Sequence, residues 1–65
     1  MSSENVRCIE YNDRNQGLIV MFESGSTCEY TPVSKDIYND LLDTEYLSKA
    51  VHNVIRSGNI VGVLK

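Results

Sequence analysis

Hydrophobic residues in the first half of the chain recur at every second position, which is the spacing of a half-buried β-strand. The clearest strand places Leu18, Val20 and Phe22 on one face and Ile19 and Met21 on the other. We expect the first three side chains to form core. A solvated outer face has little use for two large apolar residues, so either another part of the chain or a partner covers Ile19 and Met21.

Two further strands flank the central one, and turn-forming residues connect them. The strands are predicted over 6–11, 18–23 and 27–31. The turn before the second strand ends at Gly17, which can adopt a positive φ. In the first strand Val6 is out of phase with Ile9 and Tyr11. A β-bulge near Arg7 or Cys8 would place Val6 on the core side with them.

The hydrophobic period changes to about 3.6 residues after Pro32, which indicates helices. The first helix should begin near Ser34, whose side chain suits an N-cap, and end at Leu42. A second helix follows, capped by Asp43 or Thr44 and closed by Gly58. Its apolar positions fill the i, i+3, i+4, i+7, i+8 template: Leu47, Ala50, Val51, Val54 and Ile55.

The C-terminal segment 60–64 is apolar, rich in β-branched residues and too short for another helix. We expect it to add a fourth strand to an edge of the sheet and to cover part of the second strand, or to pair with another chain. The predicted fold is therefore α+β, with a three-stranded antiparallel meander, two α-helices on one face and a short C-terminal strand. Residues 5–65 should form one domain after a disordered N-terminus at 1–4.

Composition narrows the functional classes. The net charge of −3 is opposite to the usual signature of nucleic-acid binders. No apolar run approaches the roughly 20 residues of a membrane span, and the N-terminus lacks signal-peptide features. We therefore expect a cytoplasmic protein that does not bind membranes. In that compartment Cys8 and Cys28 are expected to be buried small hydrophobic residues rather than a disulfide.

Several short motifs occur in a recognisable order. The stretch NVRCIEYN at 5–12 leads to the alternating Leu18, Val20 and Phe22 and to a turn at Gly25. The next motif is formed by Tyr30, Val33, Ile37 and Tyr38, where a strand passes into a helix. This order resembles the KTSC family, named after a domain at the C-terminus of some lysyl-tRNA synthetases. The resemblance covers about residues 5 to 56.

The chain departs from the family pattern at several aromatic positions. Cys28 replaces the first residue of a Tyr-x-Tyr motif, and Ser34 replaces the proline of a Val-Pro motif. A later Tyr-Phe-Asn motif is echoed only by residues 50–52, without its aromatic rings. The resemblance implies the fold and, through the synthetase fusion, RNA binding. If the paired Tyr rings stack on bases, their partial loss weakens that implication, and Tyr30 is then read as a core aromatic residue.

The residue types argue against an enzyme. A nucleophilic triad would need His52, the single histidine, which we place on the solvated side of the second helix. No phosphate-binding loop, metal motif or catalytic carboxylate pair is recognisable. We therefore predict no catalytic residues, no cofactor and no metal.

Two surfaces are candidates for binding. The polar side of the second helix gathers Lys49, His52, Asn53 and Arg56, which could contact RNA phosphates or form an ordinary solvated face. Ile19 and Met21, with the C-terminal strand, offer apolar area to a protein partner or to a second copy of the chain, which would then be a homodimer rather than a monomer.

We favour protein binding and expect a small non-enzymatic module. Its length and acidity fit a phage or mobile-element factor that inhibits a host nucleic-acid machine. An RNA- or tRNA-binding accessory domain is the alternative.

Overall fold

In the part of the chain that the structure describes, six secondary-structure elements follow one another in the predicted order. The computed structural model describes residues 5–56 and 60–65. The elements are β1 (Val6–Asn12), β2 (Gly17–Phe22), β3 (Thr27–Thr31), α1 (Lys35–Leu42), α2 (Leu47–Arg56) and β4 (Val61–Leu64). The α+β meander with two helices and a fourth strand is thus confirmed. The expectations for residues 1–4 and for Gly58 lie outside the described residues.

The four strands form one antiparallel sheet in the order β1-β2-β3-β4. Because β4 pairs with β3, it widens the sheet at one edge. It does not fold over β2, so the expectation that the C-terminal segment covers Ile19 and Met21 is wrong. Among the described residues, the strands at the two edges of the sheet are β1 and β4.

The predicted β-bulge is present in β1. The register shifts between Val6, which lies opposite Phe22, and Cys8, which lies opposite Met21. The extra residue returns Val6 to the face that carries Ile9, and both side chains are buried. The backbone N–H of Val6 donates a hydrogen bond of 2.8 Å to Ser48 Oγ, which ties β1 to α2.

The core lies between one face of the sheet and the two helices. Its buried side chains are Val6, Ile9, Leu18, Val20, Phe22, Val33, Leu41 and Val51. The predicted core face of β2 is therefore confirmed, whereas Leu42, the last residue of α1, is exposed. Within residues 5–56 and 60–65, no helix is long and apolar enough to cross a membrane.

The segment between β3 and α1 is anchored through Val33, which is fully buried, to the β1–β2 turn at the end of the sheet where β3 finishes. The Val33 N–H donates to the carbonyl of Gln16 at 2.7 Å, and the Tyr11 hydroxyl donates to the Val33 carbonyl at 2.7 Å. The Tyr11 ring also stacks on Tyr38, with centroids 5.2 Å apart. This stretch therefore closes the core.

The two helices begin differently. Ser34 is the N-cap of α1, as predicted, and its Oγ accepts from the Ile37 N–H at 3.4 Å. The Thr44 hydroxyl accepts from the N–H of Tyr46, which precedes α2, so it stabilises the turn between the helices. The other expected cap, Asp43, instead ends α1 as its C-cap.

The turn between β1 and β2 differs from the sequence-based expectation. Gln16 adopts the positive φ, at 54°, whereas Gly17 is the first residue of β2. A Cβ atom at position 17 would collide with the Glu29 carboxylate and approach Asn15 Oδ1. Glycine is therefore needed at 17 for the close approach of Glu29, and not for its backbone conformation.

Candidate binding surfaces

The sheet face turned away from the helices is an apolar surface that the described part of the chain leaves uncovered. We call it the outer face. Strand register places five apolar side chains on it: Cys8, Ile19, Met21, Val61 and Val63. Ile19 and Met21 are half-buried, and Val61 and Val63 are exposed. The structure thus brings the two predicted residues, Ile19 and Met21, onto one surface with β4.

The two cysteines occupy opposite faces of the sheet. Cys28 lies opposite Val20 and packs against the core, half-buried, whereas Cys8 is exposed on the outer face. The expectation that Cys8 is buried is therefore wrong, because Cys8 alternates with the buried Ile9 and so lies on the outer face, opposite Met21. Its thiol lies 3.4 Å from the Met21 sulfur. Within the described residues, no three His, Cys, Asp or Glu side chains group closely enough to hold a metal ion.

Glu29 forms a polar cluster on the otherwise apolar outer face. Its carboxylate accepts from Asn15 Nδ2 at 3.2 Å and Asn12 Nδ2 at 3.5 Å, and lies 3.4 Å from Lys65 Nζ. The Glu29 side chain is only 14% exposed. The hydrogen bond from Asn15, helped by Lys65 and Asn12, lowers the pKa of Glu29 despite partial desolvation. Glu29 is thus held as an anion between β2 and β4.

The strand β4 is exposed along its whole length. Val61, Val63 and Leu64 are 63%, 58% and 72% exposed. Gly62 lies beside Tyr30, where a Cβ atom would come within 2.5 Å of the tyrosine ring. The absence of a side chain at 62 therefore allows Tyr30 to pack between β4 and the core.

The polar side of α2 retains three of its four predicted residues. Lys49, Asn53 and Arg56 are exposed and, at spacings of four and three residues, share a face. His52 is half-buried, and its ring stacks on Phe22 with centroids 6.5 Å apart. The solvated position expected for His52 is therefore not observed, because residue 52 lies at the border of the apolar stripe.

Tyr30 is part of the helix-covered side of the sheet. It is half-buried, and it packs against the core cluster as Cys28 does. A base-stacking platform requires an open aromatic face. The structure therefore favours the reading of Tyr30 as a core aromatic residue.

The Glu29 cluster was not predicted, and the C-terminal strand was predicted as part of the apolar surface without its individual residues. Val61 and Val63 share the parity of Ile19 on the outer face only because of the observed pairing between β3 and β4. The apolar, β-branched character of the segment was visible in the sequence, but its register was not. The contact between Glu29 and Asn15 depends on turn geometry that composition alone does not determine.

The architecture defines a small α+β domain in which helices cover one face of an antiparallel sheet and leave the other open. The chain belongs to the KTSC domain family, whose model matches residues 2–58. The resemblance seen in the sequence is thereby confirmed. The strand β4 lies beyond the matched residues. Comparison with curated proteins finds no match.

Proposed function

We propose that this chain is a cytoplasmic, non-enzymatic module that binds another protein through the outer face of its sheet. The observation that carries the proposal is the open, largely apolar surface centred on Ile19 and Met21 and extended by Val61 and Val63. Apolar patches of this kind on small domains are typical of interaction sites. The free thiols of Cys8 and Cys28 suit a reducing compartment.

The composition of the outer face supports recognition of a protein rather than of a small ligand. Protein interfaces have an apolar centre within a polar rim. Here Glu10 and Glu29 flank Ile19 on the neighbouring strands, and Lys65, the residue after β4, pairs with Thr27, which lies opposite Met21. The flexible Met21 side chain can adapt its shape to a partner.

The net charge bears on the kind of partner. At −3 it has the same sign as the charge of a nucleic acid. We therefore extend the proposal to a phage or mobile-element factor that attaches to a host nucleic-acid machine and inhibits it. This extension depends on the negative net charge, whereas protein binding itself depends on the outer face.

The variant Ile19→Lys tests the outer face directly. A lysine at 19 would lie between Glu10 and Glu29 on the adjacent strands, so opposite charges should accommodate it without loss of folding. In a lysate of the source cells, the tagged native chain should retain a specific protein that Ile19→Lys retains at least tenfold less well. Lys49→Glu, on the opposite side of the domain, is the matched control and should retain that protein normally.

The control also separates the two surfaces. A protein lost equally from Ile19→Lys and Lys49→Glu would not be bound by the outer face. Retention of no protein above an untagged background would refute the proposal. Circular dichroism should show that both variants fold as the native chain does, so that any difference in protein retention reflects the substituted surface.

RNA binding is the second candidate, because Lys49, Asn53 and Arg56 present an exposed polar face. Two full positive charges predict weak binding that falls with added salt. Double substitution of Lys49→Glu and Arg56→Glu should abolish retention of tRNA at low salt. If the native chain does not shift tRNA at low salt, this candidate is eliminated.

A further inference from the structure

The free edge of β4 lacks the features that normally protect an edge strand. Such strands are usually shielded by a charge, a proline, a bulge or a covering element. Residues 61–64 contain no charged residue and no proline, their pairing with β3 is regular, and all four are exposed. Within the described residues, β3 is the single neighbour of β4 in the sheet.

The hydrogen-bonding register shows which main-chain groups face outward. Lys65 N–H donates to the Thr27 carbonyl at 2.8 Å, so these residues form a hydrogen-bonded pair. Because such pairs alternate along an antiparallel ladder, Val61 and Val63 also direct their main-chain groups toward β3. The N–H and C=O groups of Gly62 and Leu64 therefore point to the free edge.

We propose that a second copy of this chain pairs with that edge, β4 against β4 in antiparallel orientation, about a two-fold axis at Val63. Gly62 of each copy would then form a hydrogen-bonded pair with Leu64 of the other, which gives four main-chain hydrogen bonds. The outward groups are spaced symmetrically about Val63, so the strand is complementary to itself. Such self-complementarity is what a two-fold interface requires.

Side chains and charges agree with this pairing. Val63 meets its symmetry mate on the outer face, as a closely spaced apolar pair. Val61 lies opposite the partner's Lys65, whose ammonium group is already 3.4 Å from its own Glu29 carboxylate. The pairing therefore places no two like charges opposite each other, and the charge of each Lys65 is balanced by Glu29.

The pairing would join two four-stranded sheets into one of eight strands. A two-fold axis through an antiparallel strand pair is perpendicular to the sheet, so both outer faces lie on the same side. They form one continuous surface with Ile19 and Met21 of each copy at its flanks. The role of this enlarged surface rests on the proposed function, whereas the dimer itself does not.

The interface is small. Two four-residue strands bury less than the roughly 1,200 Å² of a standard protein interface, so we expect a reversible dimer with a Kd on the order of 10–100 µM. Sedimentation of the purified full chain should show a mass that rises from 7.3 kDa toward twice that value as concentration increases.

Two altered proteins test the geometry. Val63→Lys places equal charges at the two-fold axis, while within each copy the new lysine lies opposite Glu29, which favours its pairing with β3. N-methylation of the Leu64 amide, introduced by chemical synthesis, removes an outward donor without affecting the bonds to β3. Both proteins should remain monomeric at concentrations where the native chain is mostly dimeric. Met21→Lys, on the same face but two strands from β4, should dimerise normally.

These measurements use the chain alone, so they distinguish the dimer from partner binding. If Val63→Lys fails to fold, as seen by circular dichroism, the N-methylated protein decides. A native chain that stays at 7.3 kDa up to about 1 mM, a concentration well above the expected Kd, would overturn the proposal. Dimerisation of both altered proteins at the native concentration would also overturn it. Loss of partner capture by Met21→Lys with an intact dimer would bear on the proposed function only.

Discussion

The two edge strands of the sheet, β1 and β4, are built in opposite ways. In β1 a bulge interrupts the edge, Arg7 and Glu10 carry charge, and Val6 and Ile9 are buried in the core. In β4 the pairing is regular, no residue is charged and no side chain is buried. The first edge is therefore protected from further pairing and the second is not.

This difference indicates that the two edge strands have different roles, β1 in the stability of the fold and β4 in association. The hydrogen bond from Val6 N–H to Ser48 Oγ fixes β1 to α2, and the family match ends before β4 begins. Burial of apolar area, the main source of folding free energy, is concentrated in β1, β2 and the helices. We therefore expect β1 to be required for folding and β4 to be available for association.

Truncation of one apolar residue in each edge strand should show the largest contrast. Ile9→Ala removes a side chain that is 8% exposed and should lower the free energy of unfolding by about 3 kcal/mol. A single core of this size rarely supplies more than roughly 3–5 kcal/mol, so much of that protein should be unfolded. Val63→Ala removes a side chain that is 58% exposed and should cost less than about 0.5 kcal/mol. Urea denaturation measures both, and similar losses would contradict the division of roles.

The attachment of β1 to α2 should give the next largest effect. Ser48→Ala leaves the partly buried Val6 N–H without its acceptor, and the higher helix propensity of alanine offsets part of the loss. We expect a net decrease of about 1 kcal/mol in the free energy of unfolding. Ser26→Ala, at an exposed position in the turn before β3, is the control. Equal stability of the two variants would show that the tie to α2 is unimportant.

A smaller and more local effect is expected at Gly62. In Gly62→Ala the new methyl group would come within 2.5 Å of the Tyr30 ring, so β4 should separate from β3. Because no side chain of β4 is buried, we expect a global loss of less than about 1 kcal/mol. Amide hydrogen exchange should accelerate in 61–65 and remain unchanged in β1 and β2. Val61→Ala, in the same strand, should keep its protection; loss of protection throughout the sheet of Gly62→Ala would contradict the local role.

The sequence predicted those features that depend on local patterns. Val6 is out of phase with Ile9 and Tyr11, and this alone located the bulge. Ser34, as an N-cap residue, located the start of α1. Periodicity could not determine which edge β4 joins, so the expected cover over Ile19 and Met21 was wrong. The outward position of Cys8 follows from its alternation with Ile9, but its exposure was misjudged because cysteine is usually buried.

The candidate surfaces were predictable only in part. Lys49, Asn53 and Arg56 lie on one exposed helix face as the 3.6-residue period requires. The half-burial of His52 on Phe22 arises from tertiary packing between α2 and β2. The Glu29 cluster combines two strands and a turn, and the turn's positive φ lies at Gln16 rather than at the glycine. Contacts of this kind appear only when the strands are in register.

The smallest predicted effect concerns Glu29, which links the centre of the sheet to β4 through Lys65. Since the pKa of Glu29 is lowered in the folded protein, chiefly by the Asn15 hydrogen bond, the carboxylate stabilises the fold fully above its ordinary, unfolded-state pKa. That contribution is lost as pH falls through the folded pKa, and Glu29→Gln should lack it. Asn15→Ala removes the largest cause, so a carboxyl titration by NMR should show the pKa of Glu29 rising toward its ordinary value. An unchanged pKa in Asn15→Ala would mean that Lys65, and hence the attachment of β4, holds the charge instead.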